Sequence, residues 1–445
     1  MPPRQDEQSS PRRLGATTAA LIVVASMVGT GVFTTTGLLV RSTGSPPAVL
    51  IVWLVGGLLA LCGALAYGEL SAALPRSGGE YQLLSRIYHP AVGFVAGWLS
   101  LVVGFSAPIA ATSLAFGRYL TAIAPAADPF WAAMILLAVL ATLHAAHVTI
   151  GGRVQNVLVI AKVTLILFVI VGGFVRGRPE RILGESAPAL LDTIASAPFA
   201  IGLILVSFAY SGWNGAVYLA GEVRRPATTL PLALVSGTTI VILLYLGLNA
   251  VFLSAAPAEM LSGVVEISHV ATTRLFGEGL GAVLSGVIAL ALVSSASAMT
   301  MTGPRVYQTM GEDYPRLRIL SRRTEQGGPL AAIALQTLFA MVMIVTATFE
   351  ALLTYIGFTL ALSAALTVVG VVVLRWREPE LTRPYRTWGY PLTPIMFTAL
   401  SAWMIVHALI ERPLIALAGL VTALCGLGLY LLAGPPDRCF THRDS

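Results

Sequence analysis

SMVGTGVF, residues Ser26 to Phe33, lies inside an apolar run that extends from Leu14 to about Val40. Gly29 and Gly31 flank Thr30 at its centre, where a helix crossing a bilayer would be deepest. A second stretch of the same kind, FAYSGWN, Phe208 to Asn214, sits in the middle of another apolar run. Unsatisfied backbone groups are costly in hydrocarbon, so a break at that depth survives only where it lines a cavity and something else bonds its N–H and C=O groups. Small residues also let membrane helices pack closely, and one glycine pair alone would read that way. Two interrupted segments, five helices apart, instead give the pattern of a transporter built from inverted repeats with broken helices.

From these two breaks the chain can be parsed outward. Roughly 20 apolar residues are needed to span a bilayer. Runs of suitable length occur at about 14–40, 47–73, 91–123, 128–147, 153–175, 195–221, 229–254, 278–304, 329–347, 350–374, 390–410 and 413–433. The fold class expected is therefore an all-α polytopic membrane protein of about twelve helices with the first and sixth broken. The third and sixth runs are long enough to tilt or bend. Repeat one covers about 14–175 and repeat two about 195–374; the last two helices cover about 390–433. A polar N-terminal tail, 1–13, and a C-terminal tail, 434–445, flank the single membrane domain, 14–433.

Composition agrees. Of 445 residues, 56% are hydrophobic and 11% charged, against roughly a quarter charged in soluble domains. The net charge of +6 does not indicate nucleic acid, because the arginines are scattered among short loops. With the N-terminus placed in the cytoplasm, nineteen arginines fall inside and seven outside, as the positive-inside rule requires. Both termini are then cytoplasmic and the expected location is the plasma (inner) membrane. The basic loop 305–328 suits contact with anionic membrane lipid. Arg176, Arg178 and Arg181 form an outer cluster that runs against the rule. Cys62, Cys425 and Cys439 have no metal-site or disulfide spacing, so no metal and no cofactor is expected.

The chain has 27 basic residues, and a single one, Lys162, is lysine. It falls in the middle of the fifth run. An ionisable group at that depth is a functional candidate by default. Lysine can give up its proton when buried, and arginine effectively cannot. Protonated, Lys162 would stand in for a coupling cation, bonding freed carbonyls of the first segment and hydroxyls of the eighth, where Ser294 and Ser295 lie. The alternative is a lysine reaching for the membrane surface.

At the breaks, the N-terminus of the outer half of segment one presents free N–H groups and a positive dipole end near Gly31, which fits a substrate carboxylate. Missing Cβ atoms at Gly29 and Gly31 allow close approach. Freed carbonyls near Phe208, Ala209 and Ser211, beside Gly212 and Trp213, can accept from an ammonium. Together they recognise a zwitterion. No carboxylate lies near either break. That favours a neutral amino acid over an amine or polyamine, which remains the alternative. A membrane-embedded enzyme would need His, Asp or Cys deep in the spans, and a sensor would need a soluble output domain; neither is present. Glu69 and Glu80 bracket the inner end of segment two and are candidates for inner-gate pairs with arginines such as Arg86. Glu222 is similar. His144 and His147 are expected at the interface, and Tyr355 lines either the pocket or the lipid-facing core.

With these residues in place the sequence resembles the amino acid–polyamine–organocation superfamily of transporters. GTGVF at 29–33, YGEL and PRSGGEY between 67 and 81, RVQNVLVIAK at 153–162, FAYSGWN at 208–214 and RPYRTWGYP at 383–391 carry the resemblance, which covers nearly the whole chain. The FAYSGWN and RVQ…K pieces are most similar to the L-type exchangers and their bacterial relatives. The resemblance implies a LeuT-like fold with a 5+5 inverted repeat. Backbone around Gly29, Thr30 and Gly31 would take the carboxylate, and backbone around Phe208, Ala209 and Ser211 the amine. Phe208 would be an outer gate and Trp213 would shape the pocket. Lys162, with Ser295 nearby, would occupy the place of a coupling sodium. Thr30 departs from the family's usual serine by one methyl group. Animal relatives bond a glycoprotein through an outer-loop cysteine between segments three and four. The loop at 124–129 has none, so no such partner is implied. Transport would be amino-acid exchange or proton-coupled uptake.

Overall fold

The computed structural model describes residues 14–146, 152–182, 187–322 and 329–436. The tail 1–13, most of the tail 434–445, His147, Cys439, the end of the basic loop from Arg323, and the side chains of Arg153 and Gln155 lie outside the described residues.

The described residues form helices joined by short loops, and among them no strand is longer than one bridge, between Leu14 and Val223. Among the described residues nine helices are long and apolar enough to cross a membrane. A bent pair (Ala16–Met27 and Thr30–Thr43) and two shorter apolar helices (Pro129–Ala145 and Leu330–Thr346) complete the twelve expected segments. The chain is a multi-pass helical membrane protein.

Helix ends follow local chemistry. Segment two, Pro46–Ala73, starts with Ser45 accepting from the Ala48 N–H at 3.2 Å and with proline in its first turn, where a missing N–H costs nothing. Segment ten, Phe349–Arg377, is capped by Thr348 in the same way. Segment one ends at Gly44 in the left-handed region (φ 63°), a conformation that glycine adopts without strain.

Three departures from the sequence pattern have physical causes. Segment eight runs over Glu278–Asp313, nine residues past its expected end. The extra turns carry Arg305, Gln308, Glu312 and Asp313, so hydropathy is blind to them, yet the backbone stays helical through them. Segment three, Pro90–Ile123, bends through a wide π turn at Ser100–Ser106, where the Ser106 hydroxyl donates to Leu101 O at 2.8 Å. The outer arginine cluster caps helices: Arg181 donates to Ser254 O (3.2 Å) and Ala255 O (2.6 Å) at the end of segment seven, Pro226–Ala255, and the Arg178 N–H donates to Ser254 O at 3.0 Å. Arg176 reaches Leu275 O at the end of the short helix Ile267–Phe276 and lies over the Phe276 ring. Cations at helix C-termini satisfy the last carbonyls and meet the negative end of the dipole. Their position is set by local capping, which a whole-chain charge rule does not see.

Segments one, two, six and seven pack on one another, and segments three, four, eight and nine form a second group. Segment ten touches both groups. Segments four, five and twelve turn large apolar side chains outward, among them Trp131, Phe174 and Leu414, as lipid contact requires. A short helix that the sequence pattern did not announce, Glu80–Ile87, follows segment two.

Candidate functional site

The two breaks meet at the centre of the first group. The halves of segment one are bent by 42° at Val28–Gly29. Thr30, Gly31 and Val32, which open the second half, therefore have N–H groups with no intrahelical acceptor. Segment six runs helical over Ala197–Tyr210, turns through Ser211–Asn214, and resumes as a tight 3-10 helix over Gly215–Glu222. Gly212 carries the turn at φ 96°. A Cβ there would be strained and would also strike Ser26 O of segment one. At Gly31 a methyl group would run into the Ala209 backbone, so the breaks touch there. At Gly29 a methyl group would meet nothing nearer than Met27 O at 3.8 Å. The open corner of the site is thus at Gly29.

Freed groups have found side-chain partners. The Tyr245 hydroxyl of segment seven donates to Met27 O at 2.6 Å and also lies 3.3 Å from Ala209 O. One phenol thus spans the loose carbonyls of both breaks. Its ring packs against Trp53 and Tyr210, with centroids 5.4 and 5.1 Å away. One turn on, Asn249 accepts from the Thr36 hydroxyl and donates to Tyr245 O at 2.7 Å. Segment three supplies two further groups. The Thr112 hydroxyl lies 2.6 Å from that of Thr30, and Tyr119 donates to Phe33 O at 2.6 Å. Tyr245, Thr112 and Tyr119 were not singled out from the sequence. The one available signal was Tyr245 and Asn249 at i, i+4, two polar groups on one face of an apolar helix.

The other expected site residues are placed as follows. Phe208 and Ala209 are buried at the end of the first half of segment six, and the Phe208 carbonyl is engaged by the Ser211 N–H at 2.9 Å. Trp213 packs into segment two, edge-on to Tyr67 at 4.6 Å and against the Cβ-less face of Gly63. Lys162 is 4% exposed and donates to the Ser295 hydroxyl at 2.7 Å, its one hydrogen-bond partner among the described residues. No bond links it to the carbonyls of segment one. Ser294 is buried beside Ser295 and its hydroxyl makes no hydrogen bond among the described residues.

The family model described as amino acid permease matches residues 14–433. The chain belongs to this family. The rabbit large neutral amino acids transporter small subunit 2 is 27% identical over 438 residues, 95% of this permease and 80% of the relative. The mouse Asc-type amino acid transporter 1 is 27% identical over 437 residues, 95% and 81% respectively. For the human b(0,+)-type amino acid transporter 1 the figures are 27% over 428 residues, 90% and 83%. Family and relatives are transporters, not enzymes.

At the arginine-rich end the permease buries three acidic side chains among the described residues, Glu69, Glu80 and Asp313, the last of which accepts from the Tyr81 hydroxyl at 2.6 Å. Glu69, on segment two, accepts from Arg375 Nε (2.8 Å) and Nη2 (2.6 Å) and from the Thr387 N–H and hydroxyl, both at 2.7 Å. Arg383 stands 3.6 Å away, and the Arg375 guanidinium lies over the Tyr390 ring. Glu80 makes no arginine pair. Arg86, its expected partner, forms a two-pronged pair with Glu378 at 2.6 and 2.8 Å, because both arginine and glutamate sit at the half-exposed rim and Glu80 points inward. Tyr355 bonds the Thr422 hydroxyl of segment twelve (2.8 Å) and His144 the Ser297 hydroxyl (3.0 Å), so both tie helices together within the protein. The Leu14 N–H donates to Glu222 O at 3.1 Å, joining the start of segment one to the end of segment six.

Proposed function

We propose that this permease moves neutral L-amino acids across the plasma membrane by alternating access, with both termini cytoplasmic. The substrate carboxylate binds the N–H groups at Gly29, Thr30 and Gly31. Its ammonium binds carbonyls of the two breaks, with Phe208, Ala209, Ser211, Gly212 and Trp213 forming the segment-six side. The observation that carries this reading is Tyr245, whose hydroxyl donates to Met27 O and lies 3.3 Å from Ala209 O, bridging the carbonyls of both breaks. The acceptor pair that an ammonium requires is therefore preformed and held by a displaceable donor. The opposite charge falls to the helix start at Thr30, where dipole and free N–H groups favour an anion. Among the described residues no carboxyl hydrogen-bonds to the break of segment one, and the Glu80 carboxyl meets that of segment six only at Asn214, its last residue, which supports a neutral substrate over an amine or polyamine. Names of the relatives, large neutral and Asc-type amino acid transporters, point the same way.

Segments one, two, six and seven rock as a group against the rest, and the Thr30–Thr112 bond is a contact across that divide. Lys162 links occupancy to conformation through Ser295, with Ser294 as the adjacent free hydroxyl. The 5+5 repeat pairs the broken segments one and six. Exchange of one amino acid for another and proton-coupled uptake both remain compatible with this site, and one experiment separates them. Purified permease in proteoliposomes is given radiolabelled L-alanine and L-leucine, with or without unlabelled amino acid inside, and with or without an inward proton gradient. Uptake that requires internal amino acid marks an exchanger. Uptake into an empty lumen that follows the gradient marks proton coupling. Uptake of putrescine with none of either amino acid would replace this reading with the amine carrier.

A further inference from the structure

Glu80 is a buried carboxyl for which the transport cycle described above has no use. It begins the short helix Glu80–Ile87, and the loop before it is locked against the inner half of segment six. Gly79, at φ 58°, lies so close to the Tyr218 ring that any Cβ would collide with it. The Gly221 N–H donates to the Ser77 hydroxyl at 3.0 Å. These contacts drive Glu80 inward until it is 6% exposed. Its Oε1 accepts from the Tyr67 hydroxyl (2.6 Å) and from Asn214 Nδ2 (3.3 Å), and Oε2 lies 2.6 Å from the Ser363 hydroxyl.

Three helices and the short helix therefore meet at one carboxyl. Tyr67 belongs to segment two, Asn214 ends the break of segment six, and Ser363 belongs to segment ten. Every partner is neutral. Of the titratable groups on the elements around it, Tyr67 and Tyr218 face it; segment two also carries Glu69, held by Arg375, the second half of segment six ends in Glu222, and its own helix and the next residue carry Tyr81, Arg86 and Tyr88. Tyr81 donates to Asp313, and Arg86 is paired with Glu378. The arginines of segment ten are engaged elsewhere, Arg375 with Glu69 and Arg377 with Ile87 O. Helix Pro90–Leu99, which packs on the short helix, carries no titratable side chain, and His89 before it caps that helix. No cation stands within ion-pair distance of Glu80 among the described residues.

This arrangement fits the protonated acid. The Ser363 hydroxyl donates to Oε2; a hydroxyl can also accept, so on protonation its hydrogen turns away and Oε2–H donates to Ser363 Oγ, while Oε1 remains the acceptor for Tyr67 and Asn214. Removing a carboxylate from water without a cation favours the neutral form. Burial accordingly raises the Glu80 carboxyl above the ordinary glutamate range, and its three hydrogen bonds only partly offset this.

We propose that Glu80 is a proton-binding site of the inner gate: it holds a proton while the inner parts of segments six and ten close over it, and gives it to cytoplasmic water when they separate. The proposal deepens the alternating-access reading and rests on it. The step is a simple transfer, carboxylic acid plus water giving carboxylate plus hydronium. Its sign follows from linkage. The closed arrangement has the higher proton affinity, so low pH stabilises it and slows inward opening.

The test has two readouts. In infrared difference spectra of the purified permease at neutral pH, the carbonyl stretch of a protonated carboxylic acid is expected. It should vanish in Glu80→Gln and move in Glu80→Asp. In proteoliposomes at matched pH on both faces, counterflow of L-alanine by the wild type should slow as pH falls, by up to about tenfold per unit, the limit for one titrating group. Glu80→Gln, fixed in the neutral form, should lose that dependence while still exchanging. A wild-type spectrum with no acid band, or a band unchanged in both variants, overturns the proposal. So does an unaltered pH profile in Glu80→Gln. Should Glu80→Gln fail to fold, the shift in Glu80→Asp carries the assignment. If no protein moves L-alanine or L-leucine at all, the amino-acid reading fails, and the infrared band still decides Glu80 by itself.

Discussion

Glu69 and Glu80 lie eleven positions apart, both nearly inaccessible to water, and the permease stabilises them in opposite ways. Glu69 receives two hydrogen bonds from Arg375, two from Thr387 and the charge of Arg383. Glu80 receives only the neutral groups of Tyr67, Asn214 and Ser363. A buried ion pair with its remaining lone pairs satisfied is a permanent fastening, because taking away either partner leaves an uncompensated charge. A buried carboxyl among neutral donors can change its charge by moving one proton. The first solution ties segment two to the loop after segment ten; the second lies between helices that separate in the proposed transport cycle. Lys162 belongs with Glu80: it too is a buried ionisable group whose one hydrogen-bond partner among the described residues, Ser295, is neutral.

The comparison is broken most directly at Arg375. Arg375→Ala strands the Glu69 carboxylate and is expected to lower stability by up to about 3 kcal/mol, read as a fall in the thermal unfolding midpoint in detergent. Adding Glu69→Gln should restore part of that loss. If Arg375→Ala unfolds at the wild-type temperature, the pair is not a fastening and the contrast collapses.

Lys162→Met should do the reverse. It removes a buried charge that has no counter-ion, so the unfolding midpoint should hold or rise, while amino-acid uptake falls by on the order of tenfold or more, equivalent to about 1.4 kcal/mol on the transport barrier. Loss of uptake together with loss of stability would place Lys162 in the structural class with Glu69.

Tyr245→Phe probes a donor of no charge at all. It leaves Met27 O without its partner, at a cost of about 1–3 kcal/mol. Since the hydroxyl occupies the acceptors proposed for the substrate ammonium, the variant should alter the concentration for half-maximal uptake more than the maximal rate. An equal change in both would argue for a purely structural phenol.

The smallest effect is expected from Glu80→Gln. Glutamine keeps the size of the protonated acid and its acceptor oxygen, so the unfolding midpoint should shift by less than about 1 kcal/mol equivalent, far less than for Arg375→Ala. A large destabilisation would mean that Glu80 is ionised and held by its neighbours, and that the two carboxyls are alike.

Much of this architecture was legible in the chain. Apolar run lengths, fixed by the thickness of a bilayer, placed all twelve segments; GTG at 29–31 and YSGWN at 210–214 marked the breaks; a lone lysine among arginines marked Lys162. What local pattern omits is direction. The Glu80 side chain points inward because Gly79 and Ser77 hold its loop against segment six, a contact between residues more than 130 positions apart. Arg86, near Glu80 in sequence, turns to Glu378 at the rim instead. The outer arginines opposed the charge rule until Ser254, Ala255 and Leu275 were seen to present helix-end carbonyls to them. Thr112 and Tyr119 carry no signal of their own, since a threonine or tyrosine in an apolar helix reads equally as filler.

The sequence by itself determined what the bilayer demands, because hydropathy, helix length and backbone breaks are properties of consecutive residues: a twelve-segment membrane protein with two interrupted helices and one buried amine. Only the tertiary structure decided which polar groups meet inside it. Tyr245 spanning two carbonyls, arginines closing on Glu69 and neutral donors closing on Glu80 are all encounters between distant segments. In a medium without water, the partner of each buried group is whatever the fold brings within about 3 Å, the reach of a hydrogen bond.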